Sequence, residues 1–409
     1  MLEDACSLII RLRRDKKFHY DDCLFQGFDH CNHFTMTVIK FAEINPANSN
    51  NLFDIRQKSV RIKPLKTPDA RLLFLPKSSL AGLLAKIDEK APLILPAILE
   101  DKVHFKRYGH NQNSVVPLER IRPCENLKHI FFPQRERVAA FGGKFDKPIG
   151  DLIILGAKAC DLRALEVYDK VFLDPASIDP FYRERRAKTV IISADCPVPE
   201  PTCFCNLIGI DPYVTQGSDL NITPMARGYL VEILSAAGEH FVSEYQALFR
   251  EATDEEVAAR DTSRQEARKA LDSINRKAFK RNLSELIGAN ESSTFWQKPQ
   301  NGCVECFACL DICPTCYCFL LYEVRENGPD KKERFGRVKI WDACYQASYA
   351  RVGGGANPRA GFTERFRNRF ACKFEYFKKY HDFYACSGCG RCRSGCTAEI
   401  DIREVLAQL

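Results

Sequence analysis

Two cysteine motifs near the C-terminal end of the sequence decide its fold. The first is Cys303-Val-Glu-Cys306-Phe-Ala-Cys309-Leu-Asp-Ile-Cys313-Pro314, and the second is Cys386-Ser-Gly-Cys389-Gly-Arg-Cys392-Arg-Ser-Gly-Cys396. Both follow the spacing C-x2-C-x2-C-x3-C, with which pairs of [4Fe–4S] clusters are bound. The short gaps let one tight loop present three thiolates to three irons, while the fourth cysteine continues onto the next element and reaches the other cluster.

The two motifs therefore predict two clusters that exchange their fourth ligands. One cluster would bind Cys303, Cys306, Cys309 and Cys396, and the other Cys386, Cys389, Cys392 and Cys313. A zinc ribbon needs only two C-x2-C hooks and leaves no role for the third and fourth cysteine of each motif. The radical-SAM spacing C-x3-C-x2-C that begins at Cys309 overlaps the first motif and has no second copy.

The cysteine content is the unusual feature of the composition. The sequence has 409 residues and 20 cysteines, 12 of them in the last 109 residues, while its 45% hydrophobic and 28% charged residues are ordinary. A secreted disulfide-bonded domain would be much shorter, and the acidic start Met1-Leu2-Glu3-Asp4 does not resemble a signal peptide. The sequence has no apolar stretch of about 18 residues. We therefore predict a cytoplasmic protein without a membrane span, in which many thiols are metal ligands.

Two apolar runs predict parallel strands in the middle of the chain. Residues 151–156 and 189–194 have the pattern of buried strands, and residues 161–171 between them have that of a helix. A strand–helix–strand unit has parallel strands, whose carboxyl ends meet at the edge where open α/β sheets hold ligands. Cys160 and Cys196 follow the two runs, so we expect both at this edge.

A tight pair of cysteines follows Cys196 within ten residues. Cys203-Phe-Cys205 would bring the number of cysteines near this edge to four, enough for one cubane. However, the spacing of these cysteines matches no common cluster motif, and spacing alone favours buried structural thiols. In the last 109 residues, four more cysteines lie outside the two motifs, and we expect them to pack around the clusters because free cysteine is commonly buried. They are Cys316, Cys318, Cys344 and Cys372.

Changes in composition divide the chain into four segments. Residues 1–70 form an N-terminal extension without familiar ligand spacing, and we assign it no role. Residues 71–245 predict an α/β domain, and residues 246–300, which are charged and poor in glycine and proline, predict a helical linker. Residues 301–409 predict a ferredoxin-like domain with two [4Fe–4S] clusters and an insertion between the two motifs. The predicted fold class is mixed α/β, or α+β.

Motifs for nucleotide binding and for catalysis are missing from the sequence. Neither G-x-x-x-x-G-K-[ST] nor a strand followed by G-x-G-x-x-G occurs, so we expect no NAD, FAD or ATP on this chain and assign no catalytic residue. A cubane with four thiolates carries a charge of about −2, so two or three clusters would offset most of the formal charge of +7. The basic stretch 365–373 could stabilise that charge or bind an acidic partner. No nucleic-acid-binding motif is present.

Seven stretches give the sequence a specific resemblance to a known family. They are residues 131–136 (FFPQRE), 160–165 (CDLRAL), 179–186 (DPFYRERR), 201–205 (PTCFC), 313–319 (CPTCYCF), 341–344 (WDAC) and 386–396 (CSGCGRCRSGC). From about residue 72 to its C-terminus, the chain resembles the family of iron–sulfur electron-transfer subunits found in anaerobic sulfite reductase and, as the β subunit, in sulfhydrogenase. Glu305 and Phe307 stand where this family commonly has small residues, and Cys372 stands where it often has histidine.

The resemblance implies a third [4Fe–4S] cluster bound by Cys160, Cys196, Cys203 and Cys205. It also implies a non-catalytic subunit that relays electrons within an anaerobic oxidoreductase complex. One partner would be a flavoprotein that oxidises NAD(P)H, and the other a terminal redox subunit of the sulfite reductase, hydrogenase or heterodisulfide-reductase-like type. The alternative is a self-contained iron–sulfur enzyme with an open iron site at the third group of cysteines.

Overall fold

The computed structural model describes residues 71–109, 115–141, 148–276, 282–291, 294–298, 302–327 and 333–409, so the predicted extension 1–70 lies outside the described residues. Eleven strands occur in the described ranges. They are β1 (Leu72–Pro76), β2 (Leu93–Leu99), β3 (Lys102–Arg107), β4 (Arg135–Phe141), β5 (Leu152–Ala157), β6 (Thr189–Ala194), β7 (Leu220–Pro224), β8 (Gly228–Ile233), β9 (Arg250–Glu251), β10 (Phe319–Asn327) and β11 (Glu333–Trp341).

The same ranges contain twelve α-helices, none of which is both long enough and apolar enough to cross a bilayer. They are α1 (Leu80–Asp88), α2 (Lys128–Phe131), α3 (Ala159–Phe172), α4 (Pro180–Ala187), α5 (Ala236–Glu244), α6 (Asp254–Ile274), α7 (Leu283–Ala289), α8 (Ala308–Asp311), α9 (Phe362–Phe370), α10 (Phe377–His381), α11 (Arg391–Ser394) and α12 (Ile402–Ala407). Helices α6 and α7 lie in the segment for which the sequence predicts helices.

Eight strands form the larger sheet, in the order β3-β2-β5-β6-β7-β8-β1-β9. Strands β2, β5, β6 and β7 are parallel to one another, and antiparallel strands flank them on both sides. Helices α3 and α4 connect β5 to β6, so the predicted strand–helix–strand unit is present. The described part of the chain therefore has the mixed α/β fold that the sequence predicts.

Burial of both faces of this sheet explains the continuous apolar runs. All six residues of β6 are buried. In β5, Ile153 and Leu155 pack into the core on one face, whereas Ile154 packs into the core on the other. Parallel strands that are covered on both sides have this uninterrupted apolar character. The buried centre of the sheet fixes the positions at which β5 and β6 end.

The smaller sheet joins two distant parts of the sequence. It has three antiparallel strands in the order β10-β11-β4. Strands β10 and β11 come from the insertion between the cysteine motifs, whereas β4 precedes β5 in the chain. The Trp341 Nε1 at the end of β11 also donates a hydrogen bond to the Phe132 carbonyl oxygen at 2.8 Å. The sequence did not predict this pairing.

A π-helical segment, Ala371–Tyr376, joins α9 to α10. Such segments interrupt the regular α-helical register and often occur at functional sites. This one contains Cys372 and Lys373: the Lys373 side chain contacts Cys313 of the first cysteine motif, and that of Cys372 lies beside the Tyr317 hydroxyl.

Candidate metal centres

The carboxyl ends of β5 and β6 open on a cavity that four cysteines line. Cys160 lies in the first turn of α3, directly after β5, and Cys196 follows β6 by two residues. The loop after Cys196 then returns Cys203 and Cys205 to the same cavity. The structure therefore brings together all four cysteines of the third predicted group, which we call the rim group.

The thiols of the rim group are shielded from water. Burial raises the pKa of each of them, and that of Cys203 rises to about 11. Free thiols at these positions therefore stay protonated at neutral pH, because a buried thiolate is unfavourable without a compensating cation. As metal ligands, the four sulfurs would be thiolates and would need such cations beside them.

Two cationic side chains, both almost completely buried, line the same cavity. Lys158 is 2% exposed, and its Nζ donates hydrogen bonds to the Leu118 and Asp195 carbonyl oxygens, both at 2.7 Å. Arg122 is 6% exposed, and its Nε donates to the Cys389 carbonyl oxygen at 2.6 Å. The Arg122 Nη2 is buried and has no hydrogen-bond partner among the described residues. Since a buried unpartnered donor is costly, this arrangement favours an anionic group in the cavity.

A second cavity is lined by Cys303, Cys306, Cys309 and Cys396, which are the four ligands that the motifs predict for one cluster. Arg369 also lines it and is 4% exposed. Within the described ranges the buried Arg369 Nε has no hydrogen-bond partner. Burial raises the pKa of Cys309 to about 12, and the Arg369 guanidinium opposes this shift. The second cavity thus repeats the combination of four sulfurs and a buried cation.

The other four predicted ligands, Cys313, Cys386, Cys389 and Cys392, lie between these two cavities. Lys373 Nζ donates to Cys313 Sγ at 3.3 Å, and Cys386 also lies close enough to act on the Lys373 charge. The pKa of the Cys392 thiol is raised, chiefly by burial. The Arg369 guanidinium opposes this shift, and the nearby Cys313 adds to it. Cys389 also lines the cavity of the rim group. We call these four cysteines the middle group.

Matching left-handed backbone turns shape the loops of the two motifs. In the second motif, Gly388 has φ +59° and Gly390 has φ +72°; at the corresponding positions of the first, Glu305 has φ +50° and Phe307 has φ +58°. Residues with a side chain rarely adopt this conformation. Glu305 accepts a 2.9 Å hydrogen bond from the buried Arg365, which offsets part of its strain. The departures from small residues are therefore accommodated locally.

Comparison with known proteins identifies the C-terminal domain and the family. A family model described as a 4Fe-4S dicluster domain matches residues 302–400, which include both motifs. The sulfhydrogenase 2 subunit beta of Pyrococcus furiosus is 32% identical over 294 residues, covering 71% of this chain and 80% of that protein. The chain belongs to the sulfhydrogenase beta-subunit family. The resemblance seen in the sequence is confirmed, and the chain is an iron–sulfur, electron-transport subunit.

In this family member, the second motif is in direct contact with the rim group. The Phe204 backbone N–H donates to the Gly388 carbonyl oxygen at 2.8 Å. A Cβ atom at Gly388 would lie only 2.5 Å from the backbone N and Cα of Cys205, and one at Gly390 would lie 2.4 Å from the Thr202 carbonyl oxygen. Glycine is therefore required here for two backbones to meet. The rim group and the middle group are immediate neighbours.

The residues present fit [4Fe–4S] clusters. The cavity of the rim group is lined by its four cysteines and by Cys389, and the second cavity by four cysteines, so each offers at least the four sulfur ligands of a cubane. Each also has a buried guanidinium with an unpartnered nitrogen. In the described ranges, no three Cys, His, Asp or Glu side chains form a group that could hold a single metal ion. A cluster with thiolate ligands is anionic and would accept hydrogen bonds from these guanidinium groups.

Most of the buried cations could not be recognised in the sequence. The basic stretch 365–373 did indicate Arg369 and Lys373, but Arg122, Lys158 and Arg391 carried no recognisable signal. Arg391 is 1% exposed, forms an ion pair with Asp161 at 3.0 Å, and has an Nη1 without a hydrogen-bond partner in the part of the chain that the structure describes. These cations become recognisable only when the fold brings them to the cysteines.

Proposed function

We propose that this chain is the electron-relay subunit of an anaerobic oxidoreductase complex and binds three [4Fe–4S] clusters. The ligand sets are Cys303, Cys306, Cys309 and Cys396; Cys386, Cys389, Cys392 and Cys313; and Cys160, Cys196, Cys203 and Cys205. The contact of Gly388 with Cys205 carries the proposal, because it joins the rim group to the two motif sites as one continuous series. Neighbouring sites are what a relay requires.

The bound clusters would supply one-electron carriers, and the chain's own residues set their environment. The buried guanidinium groups of Arg122 and Arg369 stabilise added negative charge, which favours the reduced state. The surrounding apolar side chains exclude water from the sulfurs and thereby lower the local dielectric. The same cations also favour thiolates over thiols at sites where burial alone disfavours them.

We further propose two partner subunits and a cytoplasmic complex. The family relative is a subunit of a sulfhydrogenase, which supports assembly with other redox subunits. One partner would be a flavoprotein that oxidises NAD(P)H, and the other a terminal subunit that acts on sulfite, hydrogen or a heterodisulfide. No NAD, FAD or ATP would bind to this chain. The alternative of an enzyme with an open iron site is less favoured, because four cysteines, a complete ligand set, line the cavity of the rim group.

Iron analysis of the anaerobically purified chain tests the cluster sites. The double variant Cys203→Ser/Cys205→Ser should contain about 4 fewer irons than the wild-type chain, whereas Cys124→Ser, which changes a cysteine outside all three groups, should contain as many as the wild type. An unchanged iron content in the double variant would return the rim group to a structural role. Zinc in place of iron would overturn the whole proposal.

Electron exchange by the isolated chain distinguishes relay from enzyme. The dithionite-reduced chain should pass electrons to a one-electron viologen or quinone dye, as shown by bleaching and recovery of its absorbance near 400 nm. It should not turn over sulfite, hydrogen or a heterodisulfide when no other subunit is present. Turnover of one of these substrates by the isolated chain would favour the open-site enzyme.

A further inference from the structure

Between the two cysteine motifs lie four further cysteines, which come from three separate parts of the fold. Cys316 and Cys318 follow the first motif and lead into β10, Cys344 follows β11, and Cys372 lies in the π-helical segment between α9 and α10. Cys344 is buried and the other three are half-buried. The sequence predicts packing around the clusters for these residues. Cys318, Cys344 and Cys372 lie close to one another, and Cys316 contacts Lys373 and Cys313 of the middle group.

The base of the β10–β11 hairpin joins two of these cysteines. Phe319 pairs with Trp341 at the ends of the two strands, and the Asp342 backbone N–H donates to the Cys318 carbonyl oxygen at 3.0 Å. This pairing brings the thiols of Cys318 and Cys344 into hydrogen-bond contact, and the Tyr349 hydroxyl also contacts Cys318. The hairpin thus presents two sulfurs at one point.

The π-helical segment brings the other two cysteines to the same place. The Tyr317 hydroxyl lies 3.9 Å from Cys372 Sγ, and Cys318 is close enough to Cys372 for their charges to interact. Lys373, the next residue, donates from Nζ to Cys316 Sγ at 3.4 Å. All four cysteines thus lie close enough to Lys373 to interact with its charge. We call Cys316, Cys318, Cys344 and Cys372 the hairpin group.

Two buried ammonium groups face this group. Lys373 is 4% exposed, and its three donors go to Cys313 Sγ at 3.3 Å, Thr315 Oγ1 at 3.1 Å and Cys316 Sγ at 3.4 Å. Lys128 is also 4% exposed, and its Nζ lies 3.6 Å from the centre of the Trp341 ring, with Cys316 as its strongest charged neighbour. Burying a cation is costly unless negative charge is near. Thiolate ligands beside both ammonium groups would provide that charge.

We propose that Cys316, Cys318, Cys344 and Cys372 hold a fourth [4Fe–4S] cluster beside the middle group. This inference rests on the proposed function as an iron–sulfur relay. A cluster carrier would deliver a [4Fe–4S]2+ core: its own Fe–S bonds to the core would break, four Fe–S bonds to these cysteines would form, and the protons that the four thiols still hold would pass to the released thiolates of the carrier or to solvent. With four thiolate ligands the site would carry a charge of about −2, which compensates Lys128 and Lys373. Lys373 contacts both Cys313 of the middle group and Cys316, so the two clusters share one cation.

Iron and sulfide analysis of the full-length chain, loaded under anaerobic conditions, tests this site. The wild-type chain should contain about 16 irons, and Cys318→Ser/Cys344→Ser should contain about 12. These two cysteines are chosen because they contact each other and not the middle group. Cys124→Ser is the matched control and should equal the wild-type chain.

The outcomes separate this inference from the proposed function. If the wild-type and Cys318→Ser/Cys344→Ser chains both contain about 12 irons while Cys203→Ser/Cys205→Ser contains about 8, the fourth site is wrong and the relay proposal stands. A wild-type chain with zinc and almost no iron overturns both. If Cys318→Ser/Cys344→Ser does not fold, Mössbauer and iron analysis of the wild-type chain still decides, because about 16 irons support the fourth site and about 12 or fewer overturn it.

Discussion

At the scale of the residue, Gly388 is a position where a single methyl group should have a large effect on both stability and iron content. Its φ is +59°, and a Cβ would lie 2.5 Å from backbone atoms of Cys205. Gly388→Ala therefore adds left-handed strain and forces the two backbones apart. We expect a loss of about 3 kcal/mol in the free energy of unfolding and of about 4 irons from the rim group. Anaerobic chemical denaturation and iron analysis measure these losses.

Gly209 provides the matched control for this substitution. Its φ is +76°, but nothing lies within 4 Å of the position that a Cβ would occupy. Gly209→Ala should therefore show only the backbone strain, about 1 kcal/mol, and keep its iron. Equal effects of the two alanine substitutions would contradict the argument that backbone contact at Gly388 joins the two groups.

Local spacing explains which site residues could be predicted from the sequence. The ligands of each motif lie within eleven residues of one another, so their pattern is visible without the fold. Arg391 is different, because its hydrogen bonds reach the carbonyl oxygens of Pro123 and Glu125, more than 260 residues away in the chain. No periodicity or motif encodes such a pairing. The positions of these cations beside the cysteines can therefore be recognised only in the folded structure.

At the scale of the element, helix α6 holds the end of β6 through one arginine. Arg264 Nε donates to Asp195 Oδ2 at 2.8 Å, and the same guanidinium pairs with Glu232. Asp195 is 3% exposed and precedes Cys196 directly. Arg264→Met leaves two buried carboxylates without their main cation. We expect a loss of about 3 kcal/mol or more in the free energy of unfolding, measured by chemical denaturation under anaerobic conditions.

Arg268, one turn further along α6, provides the control for the substitution of Arg264. Its ion pair with Asp211 at 2.8 Å is about half exposed on both sides. Arg268→Met should change the free energy of unfolding by less than about 1 kcal/mol, because exposed ion pairs contribute little. If Arg264→Met had as small an effect, the end of β6 would not depend on α6, and the placement of Cys196 would need another explanation.

Elements differ in how far the sequence predicts them. Strands β5 and β6 have uninterrupted apolar runs because both faces are buried, so their pairing and the position of Cys160 and Cys196 follow from pattern alone. Strand β4 is mostly half-exposed, and it pairs with a strand almost 200 residues later. Neither its composition nor a short connection indicates that partner. The sequence therefore does not predict the long-range pairing of this half-exposed strand.

At the scale of the whole molecule, the cations at the cysteine sites make the stability of the chain depend on its clusters. The formal charge is +7, and six of the positive charges are almost completely buried beside cysteines. These are Arg122, Lys128, Lys158, Arg369, Lys373 and Arg391. With clusters of about −2 each, the cations are compensated. Without clusters, they are compensated only in part, by Asp161 beside Arg391, by Glu200 beside Arg122 and by the Cys313 thiol, whose pKa is held well below its usual range by the hydrogen bond with Cys316 and by Lys373.

The effect of Lys373→Met on the free energy of unfolding should therefore have opposite signs in the cluster-loaded chain and in the chain without iron. In the loaded chain this substitution removes a cation that donates to two sulfurs, and we expect a loss of about 3 kcal/mol in the free energy of unfolding. In the chain stripped of iron by a chelator, the substitution replaces the buried ion pair that Lys373 forms with Cys313 by a methionine and a neutral thiol, and should raise that free energy by about 1 kcal/mol or more. Lys378→Met, which breaks an exposed pair with Asp382, should have a small effect in both forms. Denaturation of both forms measures the four changes. The same sign for Lys373→Met in the loaded and stripped chains would show that cluster charge does not compensate the buried cations.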